Sequence, residues 1–113
     1  MALIAVRADF VPATLKECGE CGVKNVVVIS AGFKEAGDAG AKLEIELKKI
    51  ADKYDIALLG PNCLGVIDVQ ENLNASFSVG LPNAGKISFL SQSGAMGTAL
   101  LDWAQMEGVW TCL

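Results

Sequence analysis

The chain has 113 residues, 52% of them hydrophobic and 19% charged, with a formal net charge of −4. That is one ordinary domain's worth of chain, too apolar to be disordered, and it lacks the basic run that a nucleic-acid partner calls for. No apolar stretch nears the roughly 20 residues that span a bilayer, and Asp9 interrupts the N-terminal run too early for a secretory signal, so the expectation is a cytoplasmic protein with no membrane partner. Two further features narrow the chemistry. There is no histidine, which removes Ser-His-Asp and Cys-His nucleophile systems and any phosphohistidine on this chain. Of the 22 charges, 11 lie between residues 34 and 55 and only 5 follow residue 55, so the second half is nearly uncharged and is expected to face a partner or a further part of the fold.

The elements alternate along the chain. Leu3-Ile4-Ala5-Val6 is a short apolar run without alternation, the pattern of a buried strand. Pro12 then suits a first helical position, predicting a helix over 12–21 that stops at Gly19 or Gly22. Cys18 and Cys21 form a C-x-x-C at the end of that helix, not at its start where the dipole would activate a thiol. No second C-x-x-C completes a zinc site, so these thiols are read as structural and no metal is expected. Val26-Val27-Val28-Ile29 is the clearest strand, with four β-branched residues in a row. Leu43, Leu47, Ile50, Ala51 and Tyr54 recur at helical spacing among lysines and glutamates, predicting an amphipathic helix lying on a sheet. A third strand is expected at 56–59. From 65 to 85 the chain is rich in Asn, Ser, Gly and Pro with no sustained period, which reads as a crossing or linker segment. Ile87-Ser88-Phe89-Leu90 is a fourth strand, followed by a helix whose face is read as Met96, Ala99, Leu100, Trp103 and Met106.

This rhythm is that of an α/β, doubly wound, parallel-stranded fold, in which ligands sit beyond the C-terminal ends of the strands. The residues following each strand are therefore the candidates. Ser91-Gln92-Ser93-Gly94-Ala95 leads from a strand into a helix, where unsatisfied amides and the helix dipole can hold a phosphate; the plainer alternative is that a serine only caps the helix. It is neither a P-loop nor a G-x-G-x-x-G fingerprint, which counts against a nucleotide-binding oxidoreductase. Gly60-Pro61-Asn62-Cys63-Leu64-Gly65 reads as a tight turn fixed by two glycines and a proline, with a donor and acceptor at Asn62; a purely structural turn is the alternative, and Cys63 lacks a base to activate it. Arg7-Ala8-Asp9-Phe10 and Ser30-Ala31-Gly32-Phe33 make a pair of loops with one aromatic each, suited to an adenine or a pantetheine arm unless both rings are ordinary core.

The runs VRADFVP, VVVISAGFKE, LLGPNCLGVID, LNASF and GKISFLSQSGAMGTALLDWA, in this order and at these distances, resemble the α-type portion of the NDP-forming acyl-CoA synthetases, the group of ADP-forming acetyl-CoA synthetase and succinyl-CoA synthetase. The resemblance covers about residues 3–109. It implies an acid–CoA ligase that interconverts acyl-CoA, ADP and phosphate with acid, CoA and ATP, through an acyl phosphate and a phosphohistidine. Val6, Arg7, Ala8, Phe10 and Ser30, Ala31, Gly32, Phe33 become CoA-binding; Gly60, Pro61, Asn62 and Cys63 fall near the thioester; Ser91, Gln92, Ser93, Gly94 and Ala95 receive phosphate. Implied too are a second half of a Rossmann-like CoA-binding domain over 1–68, a linker over 69–85, and the first strand and helix of a flavodoxin-like domain over 86–113. ADP or ATP and Mg²⁺ would bind outside this chain, on an ATP-grasp β-type subunit or domain. The phosphorylated histidine lies beyond residue 113 in the family, and the match ends at Val109, so the chain reads as an internal fragment, inactive alone. The alternative is a non-catalytic CoA or acyl-CoA-binding module.

Overall fold

The structure, a computed structural model, describes residues 1–79, 83–107 and 111–112. Residues 80–82 of the expected linker, and 108–110 and 113 at the chain's end where the resemblance stops, lie outside the described residues. The chain divides into two compact units, Met1–Cys63 and Leu64–Leu113.

In the first unit, β1 (Ala2–Ile4), β2 (Asn25–Val28) and β3 (Ala57–Leu59) form a parallel sheet in the order β1-β2-β3. The register pairs Ile4 with Val28 and Val26 with Leu58. Parallel neighbours need a crossover, and α1 (Val11–Glu20) and α2 (Asp38–Tyr54) supply the two. Both lie on one face. Val11 and Leu15 from α1 and Leu47 and Ala51 from α2 share a core with Ile4, Val26 and Val28, residues of equal parity on their strands. Leu3, Val27 and Leu59 are register partners on the other face, where Leu3 and Leu59 are exposed. The α/β, parallel-stranded reading therefore holds, and α2 turns inward the residues its periodicity singled out, with Leu43, Ile50 and Tyr54 half-buried against the core.

Local boundaries moved for definite reasons. The first strand leaves the ladder after Ile4 because its partner β2 ends at Val28; Ala5 and Val6 are exposed. Helix α1 starts at Val11 with Pro12 one residue inside it, and ends with Cys21 as its cap. The amide of Gly22 donates to the Gly19 carbonyl and that of Val23 to the Cys18 carbonyl, a Schellman closure that chooses Gly22, with φ +77°, over Gly19 as the stop.

The second unit departs further. Residues 65–76, read as crossing or linker chain, form an antiparallel hairpin of β4 (Gly65–Asp68) and β5 (Leu73–Ser76). Its turn is closed by Asp68 Oδ1, which accepts from the amides of Gln70 and Glu71. The fourth strand contracts to β6 (Ile87–Ser88), paired in parallel with β7 (Thr111–Cys112); Leu90, assigned to that strand from sequence, is 94% exposed. In α3 (Gly94–Glu107) the inward residues are Gly97, Leu101 and Ala104, and Leu101 packs with Ile67 and Val69. Of the face read as Met96, Ala99, Leu100, Trp103 and Met106, only Leu100 is half-buried; the others are exposed, Trp103 at 52% and Met106 at 84%.

Candidate functional site

The parallel strands of the first unit deliver residues 7–10, 30–33 and 60–63 to one edge of the sheet, the C-terminal one, as expected. Three contacts tie these turns together. The Asn62 amide donates to the Ser30 carbonyl at 3.0 Å. The Cys63 thiol donates to the Val28 carbonyl at 3.4 Å, so it serves as an anchor for the turn after β3. Gly32, at φ +105°, lies where a Cβ would come 3.0 Å from the Ala8 methyl, so glycine lets the turns after β1 and β2 touch. Gly60, at φ +96°, faces the Val28 carbonyl in the same way, and any side chain there would collide with it.

The two aromatics of these turns have different fates. Phe33 is 0% exposed and belongs to the core of the first unit, so its ring is removed from any ligand and only its backbone reaches the edge. Phe10 is 56% exposed, and the Arg7 guanidinium lies 5.5 Å from its ring centroid. Arg7 is held there by Asp9, with Nε donating to Oδ1 at 3.2 Å and Nη2 to Oδ2 at 2.8 Å. This is an exposed platform of an aromatic ring and an ion-paired guanidinium, with Val6 exposed and Ala8 half-buried beside it.

The backbone amides of the turn after β2 are not bare. Gly32 and Phe33 both donate to Glu35 Oε1, at 2.6 and 3.2 Å, and Lys34 donates to Glu44 Oε2 at 3.2 Å. The Gly32 amide chiefly, with Glu35's own amide and that of Phe33, holds the Glu35 carboxyl below the ordinary carboxylate range. Glu35 and Glu44 were missed from sequence as members of this turn; the available signal was an acidic residue three places after a glycine in a loop rich in small residues. Ala31 is exposed, and Ser30 Oγ is shut away from solvent with no hydrogen-bond partner among the described residues.

A groove of about 600 Å³ runs along α2 to the turn after β3, lined among others by Ala41, Glu44, Ile45, Lys48, Leu58 and Pro61. It meets the candidate residues only at Gly60 and Pro61 and touches neither the Arg7–Phe10 platform nor Ser30 to Phe33. The turns at the sheet edge have the stronger claim, because the fold itself brings three of them together there, whereas the groove is the furrow between a helix and an edge strand.

In the second unit, residues 91–95 open α3 in the manner of a capped helix. Ser93 Oγ accepts from the Met96 amide at 3.3 Å and Ser91 Oγ from the Ser93 amide at 3.0 Å, while Gly94 and Ala95 receive no side-chain cap among the described bonds. Ser91, Gln92, Ser93, Gly94 and Ala95 are all exposed, leaving two amides and a helix dipole facing outward. Among the described residues no group of histidine, cysteine or carboxylate side chains is arranged to hold a metal ion, and no helix is long and apolar enough to cross a membrane.

Comparison with known proteins gives a consistent picture. A family described as CoA binding domain matches residues 1–68. The chain is 52% identical over 109 residues to acetate–CoA ligase (ADP-forming) I of Archaeoglobus fulgidus, a match over 96% of this chain and 16% of that protein. It is 46% identical over 109 residues to the alpha subunit of acetate–CoA ligase (ADP-forming) I of Pyrococcus furiosus, covering 96% of this chain and 24% of the subunit. The acetyl-coenzyme A synthetase 1 of Ca. Korarchaeum cryptofilum, solved in complex with phosphate and ADP, superposes with a TM-score of 0.91 at 39% identity, over 97% of this chain and 23% of that one. The chain thus spans between about a sixth and a quarter of the length of these relatives. With its parallel sheet, its cluster of turns at one edge and its match over residues 1–68, the chain belongs to the CoA binding domain family, and its sequence is similar to the alpha-type segments of ADP-forming acetate–CoA ligases.

Proposed function

We propose that the chain is the CoA-binding part of an acid–CoA ligase of the ADP-forming kind. The observation that carries this is the meeting of three post-strand turns at one sheet edge in a CoA binding domain. The exposed Phe10 ring and the Arg7 guanidinium suit the adenine end of CoA, one as a stacking surface and the other as a cation. Ala31 and the backbone of residues 30–32 take the pantetheine arm. Gly60, Pro61, Asn62 and Cys63 lie toward the thioester, where Asn62 offers a donor and an acceptor and the thiol stays a structural anchor.

In the reaction proposed for the whole ligase, phosphate attacks the acyl carbon, the C–S bond breaks, and CoA leaves as the thiol while an acyl phosphate forms. The phosphoryl group then passes to a histidine outside this chain, releasing the acid, and from there to ADP on an ATP-grasp partner that also holds Mg²⁺. The part we assign to Ser91, Gln92, Ser93, Gly94 and Ala95 is to hold the phosphate or the phosphorylated histidine on the open amides of α3, which stabilise negative charge without a fixed cation. Under this reading residues 1–68 are the second half of the CoA-binding domain, 69–85 a connection, and 86–113 the start of the next domain, in a cytoplasmic enzyme.

Calorimetric titration of CoA and of dephospho-CoA into the chain tests the reading. Saturable heats with a dissociation constant of about 1 mM or below are expected, since a partial set of contacts still provides on the order of 4 kcal/mol. Absence of any saturable signal with either compound contradicts it.

A further inference from the structure

We propose that Glu35 is a specificity-determining residue of the turn after β2: its carboxylate fills an amide nest that would otherwise take a phosphate, so that this turn admits only an uncharged stretch of the ligand. The proposal rests on the CoA-binding reading above and adds to it which part of CoA the turn accepts and which residue enforces the choice.

Three consecutive amides, those of Gly32, Phe33 and Lys34, all donate to glutamate oxygens of the chain itself: the first two to Glu35 Oε1, the third to Glu44 Oε2. Successive main-chain amides donating to one oxyanion are the arrangement by which loops bind phosphate. Here the oxyanions are resident. The nest cannot easily slide away from them, because the Phe33 side chain is buried in the core and the Phe33 carbonyl lies against Gly40 at the start of α2, where any side chain would collide with it. Glu35, exposed, sits on a short 3-10 turn, Lys34–Ala36, closed by the Ala36 amide donating to the Phe33 carbonyl and the Gly37 amide to the Lys34 carbonyl, which sets the backbone that presents the acid. Its carboxyl, held below the ordinary range, is ionised at neutral pH.

The position matters because Gly32 touches Ala8, which places the filled nest directly beside the platform of Arg7 and Phe10. A phosphate entering there would face a carboxylate at close range and would find the Gly32 and Phe33 amides taken. Coenzyme A offers two kinds of surface, charged phosphates and an uncharged pantetheine arm. The resident carboxylate turns the first away from residues 32–34 and leaves Ala31 and its neighbours for the second.

Amide-resolved NMR on the full chain provides the test, with inorganic phosphate and pantetheine as probes and Glu35→Ala and Glu35→Gln as variants. Phosphate should leave the Gly32 and Phe33 signals of the unaltered chain in place. In Glu35→Ala the same signals should shift saturably, with an affinity gain of about tenfold or more, the size expected when a competing charge leaves a preformed anion site. Glu35→Gln keeps an acceptor oxygen and the turn geometry while removing the charge, so it should show a smaller gain and serves as the reference should the alanine variant unfold. Unmoved Val26, Val27 and Val28 signals report that the sheet is intact. Phosphate shifting Gly32 and Phe33 equally in all three chains, or in none of the folded ones, overturns the proposal. A pantetheine titration of the unaltered chain reads the underlying CoA assignment separately: its failure alongside a positive phosphate result removes the CoA reading and leaves the guarded nest standing.

Discussion

The two units of the chain differ in how they spend their apolar residues. The first collects Ile4, Val11, Leu15, Val26, Val28, Phe33, Leu47, Ala51 and Ile56 into one buried core between a sheet and two helices. The second gathers only Ile67, Val69 and Leu101, with Leu64 packed against them; each unit leaves large apolar side chains exposed, Leu3, Val6, Phe10, Ile45 and Leu59 in the first and Phe77, Val79, Leu90, Trp103 and Met106 in the second. A β-α-β-α-β run closes a core by itself because each crossover helix lies back on the strands it joins. A hairpin, a pair of two-residue strands and one helix provide fewer surfaces to pack together. Sites in the first unit are therefore positioned by packing; the amides at the start of α3 are positioned mainly by the helix's own capping.

Core truncations should separate the units most strongly. Leu47→Ala removes a fully buried side chain and should destabilise the first unit by about 3 kcal/mol, whereas Leu101→Ala, with few buried partners, should fall toward the low end of the roughly 2–5 kcal/mol seen for such changes. Amide hydrogen exchange at Val26, Val27 and Val28 and at Ile67 reads the two separately, and equal losses would erase the contrast. A smaller cost, about 1–3 kcal/mol, is expected for Gly60→Ala, which meets both a positive φ and the Val28 carbonyl. Thermal melts check it, and an unchanged midpoint would mean the turn after β3 is loosely held.

Surface changes reverse the ranking. The exposed apolar residues of the second unit should make the chain self-associate with rising concentration, and Trp103→Lys should reduce that association while leaving first-unit exchange untouched. Sedimentation velocity decides it; a monomeric unaltered chain at all concentrations would contradict the expectation. The weakest effect is electrostatic. The Glu35 carboxyl is depressed below its ordinary value of 4.5, so its contribution is fully present above that pH and is lost as pH falls through the lowered value in the folded state. Stability of Glu35→Gln measured against pH should lack this acid-side loss, and parallel curves for the two proteins would show that the amide bonds carry no linkage.

What the sequence made legible follows the same division. The unbroken apolar run Val26 to Val28 reports a strand buried on both faces, and the Leu43, Leu47, Ile50 and Ala51 spacing reports burial on one face of a helix; both patterns survive folding because they are the cause of the burial. The 65–76 hairpin was illegible because its strands are four residues long and polar at Asn74 and Ser76, so neither period had room to repeat. The face of α3 was misread for a related reason: the helix is apolar nearly all round, and the small residues Gly97 and Ala104, not the large ones, allow the close approach. At the site, the turns were found by topology, while the occupation of their amides by Glu35 and Glu44 depends on short-range loop geometry that residue types do not reveal.

The central claim is that CoA is received at the C-terminal edge of the three-stranded sheet. The most direct measurement is the footprint of CoA on the amide signals of the full chain. Shifts confined to Arg7, Ala8 and Phe10, to Ala31 and Gly32, and to Asn62 and Cys63 are the predicted result. Shifts centred on Ala41, Ile45 and Lys48 along α2, with those turns silent, would contradict it.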